Sequence, residues 1–545
     1  MKLFAIFFLS AALMPGAAFR VAELRAEHEV NPTGVVATPR LSWVLEASER
    51  GQGQGGFHLL ASSTPEKLAA NEGDLWKTKE RSNGQRLLIP WNGQALKSGQ
   101  KVFWKVKVLS LKGEESEWSA PAHFTVGAER KFGKVTRISG FESSNAVLNE
   151  IYQRNVVTLG NRLNAYLGGN DQAFGDGHAL HRSARELLFH YDSAPALLDW
   201  IAKVHSAQNE LGYFPGGPDL PFGPVNSDAG ISVPHAVWWM SGDNDLILNS
   251  WERMENYMIR REEADITMKG HSWGAEPINF GSLTPEFVDL CYFGMMSRLM
   301  FELSHPARKP SNGVRYMTFS SRIQQKFMSQ YLGEEGLLKL SSQDAQVLAL
   351  RSSVIKKKPR KAVIEAFGKN AKPLKDLTAF AAKPLLPVLT LTGNQDIAFD
   401  LVSDPKGPWA DPQNADFEGS GATEWMMANL LGIDTNFPGF QQVRLTPLIP
   451  SGNRLAWAKG HFDSPAGRIS IDWKKAENGE LSYKCTIPAG IFGVISLPLA
   501  EGQAILESGK SIEDSFGLEK TKGGKEDWVR MLAHSGSYHF TIAAP

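Results

Sequence analysis

Five carboxylates stand where turns meet helical stretches, and their placement sets the chemical question. Asp171 lies in Gly168-Gly169-Asn170-Asp171-Gln172, Asp176 in Phe174-Gly175-Asp176-Gly177-His178, and Asp228 in Asn226-Ser227-Asp228-Ala229. Glu418 and Glu424 flank Gly419-Ser420-Gly421. Two carboxyls divide acid and base work when burial or a like charge keeps the proton on one while the other stays ionised. Each also has a plain structural reading. Asp171 suits a turn, Asp176 and Asp228 suit N-caps of helices beginning near His178 and Ile231, and Glu424 suits a first helical turn. His178 and His181 sit three apart beside Asp176, a spacing that permits shared metal ligation, but no third ligand accompanies them, so no metal and no cofactor are expected. Trp238, Trp239, Trp273 and Trp409 offer flat faces of the kind that stack on sugar rings, or else fill cores.

Other chemistries find no motif. There is no Gly-x-Ser-x-Gly elbow, phosphate loop or His-Glu-x-x-His. Gly51, Gly53 and Gly56 spell a dinucleotide fingerprint, but Phe57-His58-Leu59-Leu60-Ala61 follows as a strand, with no helix to receive a pyrophosphate. Cys291 and Cys485 are the only cysteines, which excludes a Cys-based zinc or iron-sulfur site. Lys plus Arg equals Asp plus Glu at 58 each, so neither nucleic acid nor an anionic membrane is favoured as a partner, and a neutral ligand is the easier fit.

The elements that must hold these residues fall into three blocks. At 545 residues the chain exceeds a single core. Lys2, the apolar run Leu3 to Met14 and Pro15-Gly16-Ala17-Ala18 read as an export leader over 1–18, implying a periplasmic or extracellular protein without a membrane span. Residues 19–128 alternate in short strands such as Leu41 to Leu45 and Val102 to Val108, the pattern of a β-sandwich closing on a fibronectin type III-like hairpin. Over 129–440 the period becomes helical: Ala146 to Leu163, Arg182 to Tyr191, Ala194 to Gly212, Asp245 to Arg261, Pro285 to Leu303, Gly313 to Tyr331, Asp344 to Ser353 and Ala379 to Leu391. So many amphipathic helices on short connections imply paired hairpins, and about 300 residues fits a closed ring of six. Lys356 to Lys361 reads as a solvated turn. Strand alternation returns over 441–545 and predicts a second β-sandwich.

Several local words in this frame resemble one family. Val30-Asn31-Pro32-Thr33-Gly34-Val35, Pro39-Arg40-Leu41-Ser42-Trp43, Asp74-Leu75-Trp76 and Ser116-Glu117-Trp118-Ser119 look like the opening of bacterial α-L-rhamnosidases with an (α/α)6 barrel. Phe174 to His178 is similar to that family's Trp-Thr-Gly-Asp-Ala, and Asn226 to Ala229 to its Trp-Gly-Asp-Ala. The resemblance implies an inverting glycoside hydrolase acting on terminal rhamnosyl or related deoxy-sugar linkages of a carbohydrate partner. Such chemistry sets an acid and a base roughly 6.5–9.5 Å apart around a water. The family's acid, seven residues before its Asp, falls here on Gly169, and another family carboxylate falls on Asn164. The resemblance leaves Asp171, Asp176, Glu418 and Glu424 as candidates for catalysis, and Asp228, His178, Trp238, Trp273 and Trp409 for holding the sugar. A sugar-binding barrel without turnover, or another polysaccharide-degrading helical barrel, are the alternatives.

Overall fold

The computed structural model describes residues 19–127, 130, 132, 133, 135–217, 224–263, 279–371, 377–413, 421–522 and 527–544. Residues 1–18, where an export leader was expected, and Trp273 and Glu418 lie outside them. Eight strands form the first layer pair: β1 (Phe19–Ala26), β2 (Thr33–Val35), β3 (Arg40–Ala47), β4 (Gln54–Ser62), β5 (Trp76–Glu80), β6 (Ile89–Pro90), β7 (Lys101–Ser110) and β8 (Ala122–Val126). They make two sheets, β1-β3-β6 and β2-β8-β7-β4-β5. Strand β7 shows why: Val102, Trp104, Val106 and Val108 all point inward at 0–1% exposure while the intervening residues stay partly accessible. The strand expected after Gly56 is β4, which already begins at Gln54 and lies between β7 and β5.

Among the described residues twelve helices build the ring, besides a short one at Pro224–Ser227: α1 (Ala146–Leu167), α2 (Gly177–His190), α3 (Ala194–Ser206), α4 (Ala229–Ser241), α5 (Asn244–Glu263), α6 (Pro285–Leu303), α7 (Pro310–Tyr331), α8 (Gln343–Ser352), α9 (Lys357–Asn370), α10 (Ala379–Leu391), α11 (Gln395–Val402) and α12 (Ala422–Trp425). The even-numbered helices neighbour one another in the order α2-α4-α6-α8-α10-α12 and back to α2, a closed inner ring, and the odd-numbered ones pack outside it. Polar residues at the ends fix the boundaries. Asn145, Thr284 and Ser342 each accept a hydrogen bond from the backbone N–H three residues on, starting α1, α6 and α8. The Lys356 to Lys361 run is not a turn: Lys357 to Lys361 open α9. Helix α4 buries nearly every side, as a helix in the middle of the ring must.

The last block has β10 (Ile433–Thr435), β11 (Gln442–Leu445), β12 (Trp457–Ser464), β13 (Gly467–Lys475), β14 (Leu481–Ile487), β15 (Phe492–Pro498), β16 (Ile505–Glu507), β17 (Leu518–Lys520), β18 (Trp528–Ala533) and β19 (Gly536–Ile542). One sheet runs β10-β11-β15-β18-β17; the other runs β16-β19-β14-β13-β12 and ends on β9 (Ser139–Ser143), which precedes the ring in sequence. Ring and last block share one continuous core, whereas the first block has its own. The first block is held instead by polar contacts. Arg40 grips Asp243, in the α4–α5 turn, at 2.5 and 2.9 Å, with His28 on the same carboxylate at 3.1 Å. Arg25 reaches Asp192 at 2.7 Å, and Arg50 reaches Glu507 at 2.6 Å. No described helix is long and apolar enough to cross a membrane.

Asp243 also caps α5 by accepting from the Leu246 N–H at 3.1 Å. Burial pushes its carboxyl up, but His28 and Arg40 outweigh burial and hold it well below the usual range. Asp243→Ala removes one partner of a buried pair and should cost about 3–5 kcal/mol. Calorimetry should then resolve earlier melting of the first block, and limited proteolysis should cut between the first block and the ring.

Candidate active site

All six inner helices start at the same end of the ring. The turns 191–193, 242–243, 304–309, 353–356 and 392–394 at the far end are short, while the chain between each outer helix and the next inner one is longer in sequence, from 8 residues between Asn370 and Ala379 upward. Cross-links between neighbours confirm the alignment: the His178 N–H donates to Asn226 Oδ1 at 3.1 Å, and the Thr378 N–H donates to Asp344. Six helix N-termini therefore face one mouth, the end where partial positive charge and unpaired N–H groups gather. Packing there is tight: a Cβ on Gly177 would lie 2.3 Å from the Asn226 carbonyl oxygen.

At the rim, Asp176 is exposed and accepts from the Ala179 N–H at 2.8 Å, so it caps α2. His178 is half-buried, bonded to the Tyr292 hydroxyl at 3.0 Å and tilted against Phe380 at 4.8 Å. His181 bonds Ser232 Oγ at 2.6 Å. Burial first, then the charges of Lys383, Arg351 and Arg182, hold His181 down to about 3, so it stays neutral. The two histidines thus point to different partners, and no group of three metal-type ligands occurs among the described residues.

Beneath the rim lies a buried brace. Asp228 does not use its side chain as a cap; it accepts from the Tyr257 hydroxyl and from Arg261, each at 2.8 Å, and Arg261 also grips Asp289. These side chains are essentially inaccessible and tie α4, α5 and α6 together. One guanidinium serves two carboxyls, and Asp228 Oδ2 and Asp289 Oδ2 have no partner among the described residues. Burial pushes Asp228 up to about 6 and Asp289 to about 7, with Arg261 pulling against it. The pair therefore retains a proton near neutral pH.

Deeper in the ring, Glu424 on α12 meets Arg185 at 2.7 Å and Lys383 at 3.0 Å. Burial opposes its charge, but Lys383 and Arg185 prevail and hold it at about 2. Arg185 continues to Asp434 at 2.6 Å. Next to it Glu186, fully buried and pushed upward by that burial, accepts from the Thr423 N–H at 3.1 Å and from the Thr423 hydroxyl.

Measured against the sequence expectations, the mouth gathers Asp176, His178 and Asp228, but in altered roles. Asp171 is drawn sideways to Lys203 on the outer helix α3, at 2.7 Å. Gly169 has φ +97 with open space around it. Trp238 is buried at the far end and donates to Asn244 Oδ1 at 2.8 Å, and Trp409 is buried to 2%; both fill core where sugar stacking had been expected. Glu424 is a clamped anion, unsuited to giving up a proton. Sequence reasoning missed Asp289, Arg261, Glu186, Arg185 and Lys383. Asp289 did leave a signal, a lone charge in the apolar run Phe287-Val288-Asp289-Leu290-Cys291.

A closed ring of six helical hairpins between β-layers, with its long loops and inner N-termini at one mouth, is the six-hairpin glycosidase class of barrel. The chain belongs to the bacterial alpha-L-rhamnosidase family: residues 136–409 match its 6 hairpin glycosidase domain, 21–129 the Rha78A-like N-terminal immunoglobulin domain, and 432–511 its C-terminal domain. The first block is the expected N-terminal β-sandwich, here of immunoglobulin type. An alpha-L-rhamnosidase of Streptomyces avermitilis is 25% identical over 403 residues, 66% of this chain and 38% of that protein. The chain spans little more than a third of that relative's length. The crystal structure of Streptomyces avermitilis alpha-L-rhamnosidase complexed with L-rhamnose superposes with a TM-score of 0.83 at 13% identity, covering 96% of this chain and 100% of that one. The alpha-L-rhamnosidase from Dictyoglumus thermophilum gives 0.83 at 14%, covering 96% and 99%. At such identities these two likenesses speak for the fold.

The raised carboxyls of the brace make a pH prediction. A carboxyl whose folded pKa lies above its unfolded value stabilises the fold while protonated, and that contribution fades as pH rises. Asp228 and Asp289 should therefore withdraw stability between about pH 4 and about pH 7. Asp289→Asn removes one titrating group, so the difference in melting temperature between wild type and variant should shrink across that window; a constant difference would disprove the assignment.

Proposed function

We propose that the protein is an α-L-rhamnosidase-like glycoside hydrolase that takes a terminal rhamnosyl or related deoxy-sugar unit into the mouth of the ring. One observation carries the reading: the closed ring, with its loops at a single mouth, is the part matched by the six-hairpin rhamnosidase domain over 136–409. Six helix N-termini directed at one opening favour sugar hydroxyls and developing negative charge. Asp176 is the carboxylate that meets the sugar, because among the predicted carboxylates that are described it alone is exposed. The buried brace keeps α4, α5 and α6 in register beneath it.

A second reading, saccharide capture without turnover, is favoured by the state of the other carboxylates. Asp171 is ion-paired away from the ring, Glu424 is clamped by two cations, and Asp228 and Asp289 are closed off from solvent.

A leaving-group comparison separates the two. Purified protein should release phenol from an aryl α-L-rhamnoside while cleaving a rhamnosyl disaccharide far more slowly, since an activated phenol departs without protonation and a missing acid costs about 10²–10⁴ in rate. No product from either substrate, with calorimetry still reporting binding, would leave capture standing. Asp176→Asn preserves the cap, as Asn caps helices as well as Asp, yet removes the charge. Its kcat/KM, or its binding constant if there is no turnover, should fall about tenfold or more at an unchanged melting temperature, as expected when a charged hydrogen bond is lost.

A further inference from the structure

A cleft opens where the three blocks meet, at the end of the ring away from the mouth. It encloses about 730 Å³, including the part open to solvent. Trp43 and Leu88 wall it from the first block, Leu188 and Met240 from α2 and α4, and Phe462 and Pro465 from the end of β12 and just beyond. Trp43 belongs to one core and Leu188, Met240 and Phe462 to the other, so the cleft is an unfilled seam between two cores. Leu88 holds φ +53 there, a conformation costly for a bulky side chain and one that recurs at ligand clamps. The polar side chains of the wall are committed to protein partners, with one exception. The Ser42 hydroxyl accepts from the Leu88 N–H at 2.8 Å, Tyr191 donates to the Val156 carbonyl at 2.8 Å, and Ser241 and Ser464 donate to the Val237 and Gly467 carbonyls at 2.7 Å. Arg25 is shared by Glu23 and Asp192, His28 holds Asp243, and Asp463 holds Arg468. The exception is Ser193, 1% exposed, whose hydroxyl has no hydrogen-bond partner among the described residues. It stands where a cap of α3 would, yet its side chain makes no cap bond.

We infer that this cleft is a second ligand site, for a small neutral ring compound bearing one hydroxyl, whose oxygen pairs with Ser193 and whose ring packs against Trp43, Leu188 and Met240. A buried water needs about two to four polar partners, and the side chains here have a single hydroxyl to give. An ion would enter without a partner, since the charges of the wall already neutralise one another. An apolar body with one hydrogen-bonding group satisfies wall and hydroxyl together, and such sites favour the seams between domains. The site is independent of the sugar reading of the mouth, which lies at the other end of the ring.

Saturation-transfer NMR titrations on the whole protein compare phenol with benzene, which has the same ring and no hydroxyl. Phenol should bind saturably, about fivefold or more tightly than benzene, the worth of one hydrogen bond. In Ser193→Ala the two should bind equally. Val44→Trp, from a partly exposed wall position on β3, should fill the cleft and remove both. Leu87→Trp, from the loop before β6, does the same where the melting temperature shows that the first variant has not folded. Methyl α-L-rhamnoside should leave phenol binding unchanged. Absence of saturable phenol binding, equal affinity for phenol and benzene in wild type, or a preference untouched in Ser193→Ala overturns the inference. So does phenol binding that survives the tryptophan variants or is displaced by the rhamnoside.

Discussion

Six helices closed into a ring carry charged side chains of their inner faces into a buried interior, and every charge placed there must find a partner or keep its water. Most of the site follows from that constraint. Near the mouth one guanidinium, Arg261, holds two carboxyls, which neutralises the group only if a proton is retained. Deeper, two cations hold one carboxylate, Glu424. Neither cluster is a simple pair: under the rim two carboxyls share one cation, and deeper Arg185 and Lys383 share Glu424 while Arg185 also holds Asp434.

The amino-acid sequence displayed the architecture better than the chemistry. Helix periodicity placed α6 and α10 to the residue, because Thr284-Pro285 and Thr378 stop the chain before an apolar stripe begins. The cap reading of Asp176 placed the start of α2 near His178, one residue from its observed start at Gly177, although apolar periodicity alone began only at Arg182. It took the basic opening of α9 for a turn because charge was weighed above the apolar positions Val363 and Phe367, which are buried. For the site, local reading gives residue type and neighbours along the chain, whereas the partners lie far away: Asp228 meets Arg261 and Asp289, and Arg185 meets Glu424. Asp171 and Asp228 have equivalent loop settings, yet Lys203 takes one outward and Arg261 takes the other inward. Only the tertiary arrangement distinguishes them.

The tryptophans teach the same lesson from the apolar side. Trp238 and Trp409 have the composition of a sugar platform, but a large ring is more often needed where helices must be spaced apart, and both are used there. The aromatic surface beneath the mouth is instead a mixed cluster, His178, Tyr292 and Phe380, in which imidazole, phenol and phenyl rings contact one another. The burial that keeps His178 neutral also keeps it a hydrogen-bonding group across the physiological range.

Strand β9 lies before the ring in sequence but forms the outer edge of a sheet whose other members come after it, pairing with β12 from Ser139↔Phe462 to Ser143↔Ala458. During synthesis this strand leaves the ribosome some three hundred residues ahead of its sheet partner, with only local bonds such as that from the Ser143 N–H to Asn149 to hold it. When β12 arrives, the pairing fastens the approach to the first hairpin to the exit from the last, as a clasp closes a bracelet. The helices can collapse earlier, but the clasp closes only once residues 457–464 have been made.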